Sequence, residues 1–235
     1  MYPVIRKSLT ILTLVALGSC AVPTKEPPEA PPIDHPIGFP SALYLDAEAR
    51  GDVVYRIDQV ASTAVVQVGK SGTLARFGHD HIVASHDLTG YAWLPGGAAS
   101  LIGARADLYL PLAKLAVDEA ELLTAAGLDT APSAADIDAT RTNMLKSLEA
   151  DSYPWLNVSI AMTSAEALFV NLTLHGVTRS YRIPADIQVS GDELRVAGGF
   201  TLRQSDHGIT PFSTLGGALS VGDELAVRFD LHARR

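Results

Sequence analysis

Residues 167–174 read ALFVNLTL and residues 156–162 read LNVSIAM. In the first, Leu168, Val170, Leu172 and Leu174 alternate with Phe169, Asn171 and Thr173. In the second, Leu156, Val158, Ile160 and Met162 alternate with Asn157, Ser159 and Ala161. Successive side chains of a strand point to opposite faces, so this spacing predicts two strands, each with one aliphatic face. The pattern returns in VRFDLHA (227–233), where Val227, Phe229 and Leu231 oppose Arg228, Asp230 and His232. RADLYL (105–110) and LRVAGGFTL (194–202) carry weaker versions, and VVYRIDQV and STAVVQVGK, joined near Ser62, read as an opening pair. Many short segments with one apolar face imply an all-β, antiparallel domain.

One interruption reads as helical. Ser133 is placed to cap a helix with Asp136 three residues on, followed by Ile137, Met144, Leu145 and Leu148 at helical spacing. A shorter helix over DEAELLTAAGL (118–128) precedes it and ends near Gly127. No internal repeat of fixed period is visible.

Strands with one apolar face need that face covered and their edges paired. Closure into a barrel of about eight strands meets both needs and leaves room for a small ligand. A β-sandwich, whose two apolar faces fill each other, satisfies the same periodicity. Aromatic residues are only 6% of the chain, so the inner face is expected to be aliphatic. The expected wall is Leu108, Leu110, Leu156, Val158, Ile160, Leu168, Val170, Leu172, Phe200, Val227, Phe229 and Leu231. On any strand carrying a bulge, the opposite parity would face inward.

YRIDQVASTAVVQVGK (55–70), SYPWLNVSI (152–160), LTLHGVTRSYRIPADI (172–187), FTLRQSDHGITP (200–211) and LGGALSVGDELAVRFDL (215–231) together resemble the YceI-like family. The resemblance spans about residues 53 to 233, and its most specific parts are LTLHGVTR and SDHGI…GDEL, in order and at the right spacing. It implies an extended lipocalin-like antiparallel β-barrel with a helical insertion. It also implies an apolar ligand held inside the barrel, since some members bind a polyisoprenoid chain such as that of a ubiquinone. An isoprenoid quinone or a fatty-acyl chain would suit an aliphatic wall equally. The expected protein is a lipid binder, not an enzyme, with no cofactor beyond that non-covalent lipid.

The 235-residue chain is 47% apolar and 19% charged, a globular composition. Its 18 basic and 26 acidic side chains give −8, which disfavours a nucleic-acid partner. The segment MYPVIRKSLTILTLVALGSC (1–20) has Arg6 and Lys7, an apolar run from Leu9 to Leu17, then Gly18-Ser19-Cys20. It resembles a bacterial lipoprotein signal, in which the cysteine is lipidated and becomes the new N-terminus. Loss of Arg6 and Lys7 would take the charge from −8 to −10. Cys20 is the only cysteine, so no internal disulfide can form. Ala21 follows it where an Asp would favour inner-membrane retention, so a periplasmic protein anchored to the outer membrane through Cys20 is expected.

Residues 21–40 hold seven of the fourteen prolines and read as an extended tether. At about 3.1 Å per residue such a stretch reaches about 60 Å. The expected organisation is a signal peptide over 1–19, lipidated Cys20 and tether over 20–50, and a barrel over 51–235. The oligomeric state is open, a homodimer included.

FGHDHIV (77–83) carries the polar residues of interest. If the segment is extended, His79 and His81 share a face and Asp80 opposes them. With His175 and His207 they are candidates for the polar mouth of the barrel, where they would fix loops or a ligand head group. His175, just before Gly176, suits a hydrogen bond at a strand turn. A rival reading makes His79 and His81 the start of a metal site, in a metal-binding periplasmic protein or a metal-dependent enzyme. That site needs a further ligand, for which His207 is the first candidate. No catalytic group is assigned, because Asp80 points away from both imidazoles.

Other motifs fail. GKSG (69–72) lacks the upstream glycine of a phosphate loop, since position 64 is Ala, and there is no GxSxG or HExxH. Gly198-Gly199 and Gly216-Gly217 read as places of curvature or turning.

Overall fold

The structure is a computed structural model that describes residues 34–95, 97, 100–162 and 167–235. The signal segment (1–19), Cys20 and the tether up to residue 33 lie outside the described residues. Residues Asp34–Arg235 form one compact unit.

The elements run α1 (Ser41–Ala49), β1 (Val53–Ile57), β2 (Thr63–Ser71), β3 (His81–Ser85), β4 (Thr89–Leu94), β5 (Arg105–Pro111) and β6 (Ala116–Val117). The insertion follows as α2 (Ala120–Ala125) and α3 (Ala134–Ser147). The second half is β7 (Trp155–Ala161), β8 (Leu168–Leu174), β9 (Val177–Ile183), β10 (Ala185–Ser190), β11 (Glu193–Arg203), β12 (Ser213–Thr214) and β13 (Leu219–Arg234).

All thirteen strands belong to one antiparallel sheet organised by β13, which is 16 residues long. One edge of β13 pairs with β11 along Glu224–Arg234. Its other edge is shared, by β2 as far as Asp230 and by β1 at Ala233 and Arg234. The sheet forks there into a short arm, β2-β3-β6, and a long arm, β1-β4-β5-β7-β8-β9. The long arm curls round, but among the described residues no ladder joins β9 to β10 or β11.

The fold is therefore the expected antiparallel barrel of lipocalin type, corrected in two respects: the described residues form thirteen strands where about eight were expected, and among them the ring is not closed. The extra strands include the two-residue β6 and β12, too short for any periodicity to show. β9 is exposed at four of its seven residues, and its alternation of Val177, Tyr181 and Ile183 is interrupted by Arg179. The chain passes from β9 to β10 through Pro184 alone. Gly198 lies under that corner, where a Cβ would stand 2.8 Å from the Pro184 carbonyl oxygen and 2.8 Å from the Phe229 ring. Gly216 and Gly217, at φ 67° and 90°, make a turn before β13 that a side chain would strain.

The insertion forms as expected. Ser133 Oγ accepts from the Asp136 amide at 3.2 Å, and Asp136 Oδ2 accepts from the Ser133 amide at 3.1 Å. This reciprocal pair satisfies donors that the first helical turn leaves free.

The expected boundary at residue 51 is placed too late, because α1 belongs to the domain. Tyr44 and Ala47 are fully buried against the outer face of the sheet beside Val54, with Tyr91 and Trp93 around them. The Tyr44 ring stacks on Tyr91 at 5.2 Å, and its hydroxyl donates to Asp107 Oδ2 at 2.6 Å. Arg105 donates to the same oxygen at 2.9 Å. Burial raises the Tyr44 phenol well above its ordinary range, and the Asp107 carboxylate adds to the effect. No helix among the described residues is long and apolar enough to cross a membrane.

Candidate lipid cavity and histidine cluster

The inward faces of the strands do not meet. They enclose a cavity of about 360 Å³. Well-packed interiors leave few voids larger than a water molecule, and pockets for small molecules run from about 300 Å³ upward.

All twelve residues expected on the inner wall line this space. Leu108, Leu110, Leu168, Val170 and Leu172 are at most 5% exposed. Leu156, Val158, Ile160, Phe200, Val227, Phe229 and Leu231 keep accessible surface although they point inward. They pack against the buried core on one side and border the cavity on the other.

Further lining was not anticipated. Ala64, Val66 and Val68 of β2 contribute a stripe whose period-two signal is present in STAVVQVGK. Thr140, Asn143, Met144, Ser147 and Leu148 show that α3 lays one face along the cavity. Their three- and four-residue spacing is that of one helix face. None of the residues in α3 is fully buried, so the helix covers the cavity without filling it. Arg141 fastens it, donating to the carbonyl oxygens of Leu115 (3.3 Å) and Ala113. Polar side chains on the wall are few: His81, Ser85, Arg105, Gln204 and the three polar residues of α3.

Of the four histidines expected at a polar mouth, His81 alone lines the cavity. FGHDHIV is not one extended segment. Ala75–Phe77 is a 3-10 turn, and β3 begins only at His81, so His79 precedes the strand. The two imidazoles still meet, with ring centres 4.4 Å apart and planes tilted by 58°. Asp80 turns away and accepts the Lys70 amide at 3.0 Å, at the end of β2.

The partner of His81 is Asp118. Its Oδ2 lies 2.7 Å from His81 Nδ1, and its Oδ1 accepts the Ile82 amide at 2.9 Å. Asp118 is buried, and its backbone is left-handed at φ 55°. Burial acts to raise this carboxyl, but the hydrogen bonds from His81 and Ile82 hold it below its ordinary value. With Nδ1–H donated to Asp118, His81 keeps a lone pair on Nε2. His79 Nε2 is buried and has no hydrogen-bond partner.

His207 is not the further ligand of this pair. It is fully buried in the 3-10 turn Ser205–His207. Its Nδ1 lies 3.0 Å from the Val177 carbonyl oxygen and its Nε2 2.9 Å from the Tyr181 hydroxyl. Nδ1 therefore donates to the carbonyl and Nε2 accepts from the hydroxyl, which leaves no lone pair for a metal. His175 stands at φ 52° in the β8–β9 turn, beside Gly176 at φ 70°. It donates from Nδ1 to the His207 carbonyl oxygen at 3.2 Å, a hydrogen bond at a strand turn as expected. Neither His175 nor His207 reaches the cavity wall.

The structure resembles solved proteins of the same architecture. A polyisoprenoid-binding domain from Saccharophagus degradans implicated in plant cell wall breakdown superposes with a TM-score of 0.52 at 15% identity, covering 77% of this chain and 97% of that one. BcnA of Burkholderia cenocepacia superposes with a TM-score of 0.53 at 15% identity, covering 75% and 98%. At such identities the likeness is one of fold. A search of curated proteins gave no match. The family model for a YceI-like domain matches residues 55–233, from β1 to the end of β13. The chain belongs to the YceI-like family.

Proposed function

We propose that this protein holds the apolar chain of a lipid, a polyisoprenoid, an isoprenoid quinone or a fatty-acyl chain, in the cavity between its strands and α3. The observation that carries the reading is an aliphatic space of about 360 Å³ that the protein's own side chains leave unfilled. A filled β-sandwich or a purely structural barrel would not leave it. At about 25 cal/mol per Å² of apolar surface withdrawn from water, a long chain gains several kcal/mol by burial alone. The function is binding and carriage without a chemical step. A related fold described as polyisoprenoid-binding supports an isoprenoid as the first ligand to try.

The same proposal includes location. The segment 1–19 directs export, Cys20 carries the lipid anchor, and the proline-rich stretch after it holds the domain away from the outer membrane's periplasmic surface. That would set a lipid carrier within reach of the bilayer from which it loads.

Native mass spectrometry of the protein in detergent, followed by organic extraction, tests the binding. One apolar molecule per chain is expected, or stoichiometric uptake from a panel of prenols, quinones and fatty acids. If nothing co-purifies and nothing on the panel binds, the reading falls. Metabolic labelling with a palmitate analogue tests the anchor: label is expected on the parent and absent from Cys20→Ser.

A further inference from the structure

The hydrogen bond between His81 and Asp118 accounts for two members of the cluster beside the cavity and leaves His79 without a role. His79 Nε2 is buried and unpartnered, an arrangement that protein interiors seldom tolerate. Its ring is held against His81 at 4.4 Å. Asp118, from the far end of the β6 strand, is buried in a left-handed backbone conformation to reach the same place. Strained conformations of this kind persist where the surroundings impose them, often at functional sites.

We propose that His79, His81 and Asp118 bind one divalent transition-metal ion of the kind imidazole favours, with zinc as the ion to try first. Each residue offers one ligand atom, these atoms lie within 4.8 Å of one another, and among the described residues this is the only such group of three. Two imidazole nitrogens and a carboxylate oxygen are a common donor set for zinc. Donors at about 2.0–2.2 Å from a tetrahedral ion stand about 3.4 Å from each other. The gaps, at most 4.8 Å, need close by no more than about 1.4 Å, which a rotation of the His79 ring would supply. The His81–Asp118 contact at 2.7 Å has to open slightly, its shared proton leaving as the metal enters. Asp118 Oδ1 remains on the Ile82 amide, so the carboxylate stays oriented.

Three protein ligands leave a fourth position open, the pattern of an exchangeable site, not a closed structural one. Because His81 also lines the cavity, the ion would stand at its wall, where the polar end of a bound molecule could reach it. The site does not depend on the lipid reading and stands or falls on metal binding alone.

The full chain, purified in detergent without a histidine tag and stripped with EDTA, is loaded with Zn²⁺ and assayed by elemental analysis and chelator competition. One equivalent is expected. His79→Ala and Asp118→Asn are each expected to weaken it by about 100-fold or more. His86→Ala, which alters an exposed pair with Glu119, should leave it unchanged. Co²⁺ in place of Zn²⁺ should give a visible d–d band that His79→Ala abolishes. His79 makes no hydrogen bond through its buried Nε2, so that variant should fold even if Asp118→Asn does not. A parent that fails to bind one equivalent overturns the proposal. So does an affinity unchanged in His79→Ala, or one lost in His86→Ala instead.

Discussion

Two histidine-centred regions of this molecule follow opposite rules. Around His207 both ring nitrogens are supplied from within: Nδ1 donates to the Val177 carbonyl and Nε2 lies on the Tyr181 hydroxyl, while His175 binds the backbone carbonyl of the turn and keeps its own buried Nε2 without a hydrogen bond, 3.4 Å from the Glu149 carboxylate. Around His79 and His81 the account does not close. Asp118 satisfies one imidazole, while the other keeps a buried nitrogen with nothing opposite it. The adjoining cavity repeats the contrast in apolar terms, with core and wall residues bordering a space that the protein's own side chains leave unfilled. Where a protein's own groups satisfy one another, the region is holding the fold together. Where they do not, the missing partner is to be sought outside the chain.

The contrast is sharpest in what removal should cost. His207→Ala leaves a buried carbonyl and a buried hydroxyl without partners and opens a void, so a loss of about 2–4 kcal/mol is expected in denaturant unfolding. A loss below that range would mean that the His207 corner is not the closed knot described. Tyr44→Phe tests a second closed arrangement, the bond from α1 to Asp107, and should cost about 1–2 kcal/mol. The Tyr44 phenol is raised above its ordinary 10.0 in the folded state. Its stabilising contribution is therefore complete below pH 10.0 and lost as pH rises beyond. The margin of the parent over Tyr44→Phe should shrink in unfolding curves taken through that range.

On the open side, Val227→Phe grows into the cavity. It should cost less than about 1.5 kcal/mol, at the low end for an enlarged core residue, while lowering the co-purified lipid. A larger destabilisation would show that the space is already filled by the protein. The smallest effect is expected for His79→Ala in the metal-stripped protein, within about 0.5 kcal/mol of the parent. A marked loss there would place His79 among the structural histidines.

Much of this was legible from residue order, and the reasons for the rest are specific. Strands β5, β7, β8, β11 and β13 announce their inner faces by simple alternation, and all twelve residues assigned to the wall on that basis do line the cavity. The same alternation in β2 was available but is weak beside its Gly69 and Lys70 neighbours. α1 falls within the expected tether: SALYLDAEA has no apolar stripe and follows a proline-rich run, and only Tyr44 and Ala47 are buried. Asp118 lies 37 residues from His81 and reads, in sequence, as the start of a helix. Nothing in the spacing of FGHDHIV points to it. His207 reads in sequence as a candidate further ligand, since nothing beside it in the chain shows that β9 occupies both of its ring nitrogens.

The sequence by itself determined the class of fold, the aliphatic character of the interior and the helical insertion with its Ser133–Asp136 cap. These follow from short-range rules: which face a side chain takes on a strand, and which side chains satisfy a first helical turn. Only the tertiary structure decided how many strands there are, that the ring stays open beside Pro184, and which histidines keep an unused nitrogen. Those depend on pairings between residues far apart in the chain, where burial and partner geometry are set by the packing of whole strands and not by neighbours in the sequence.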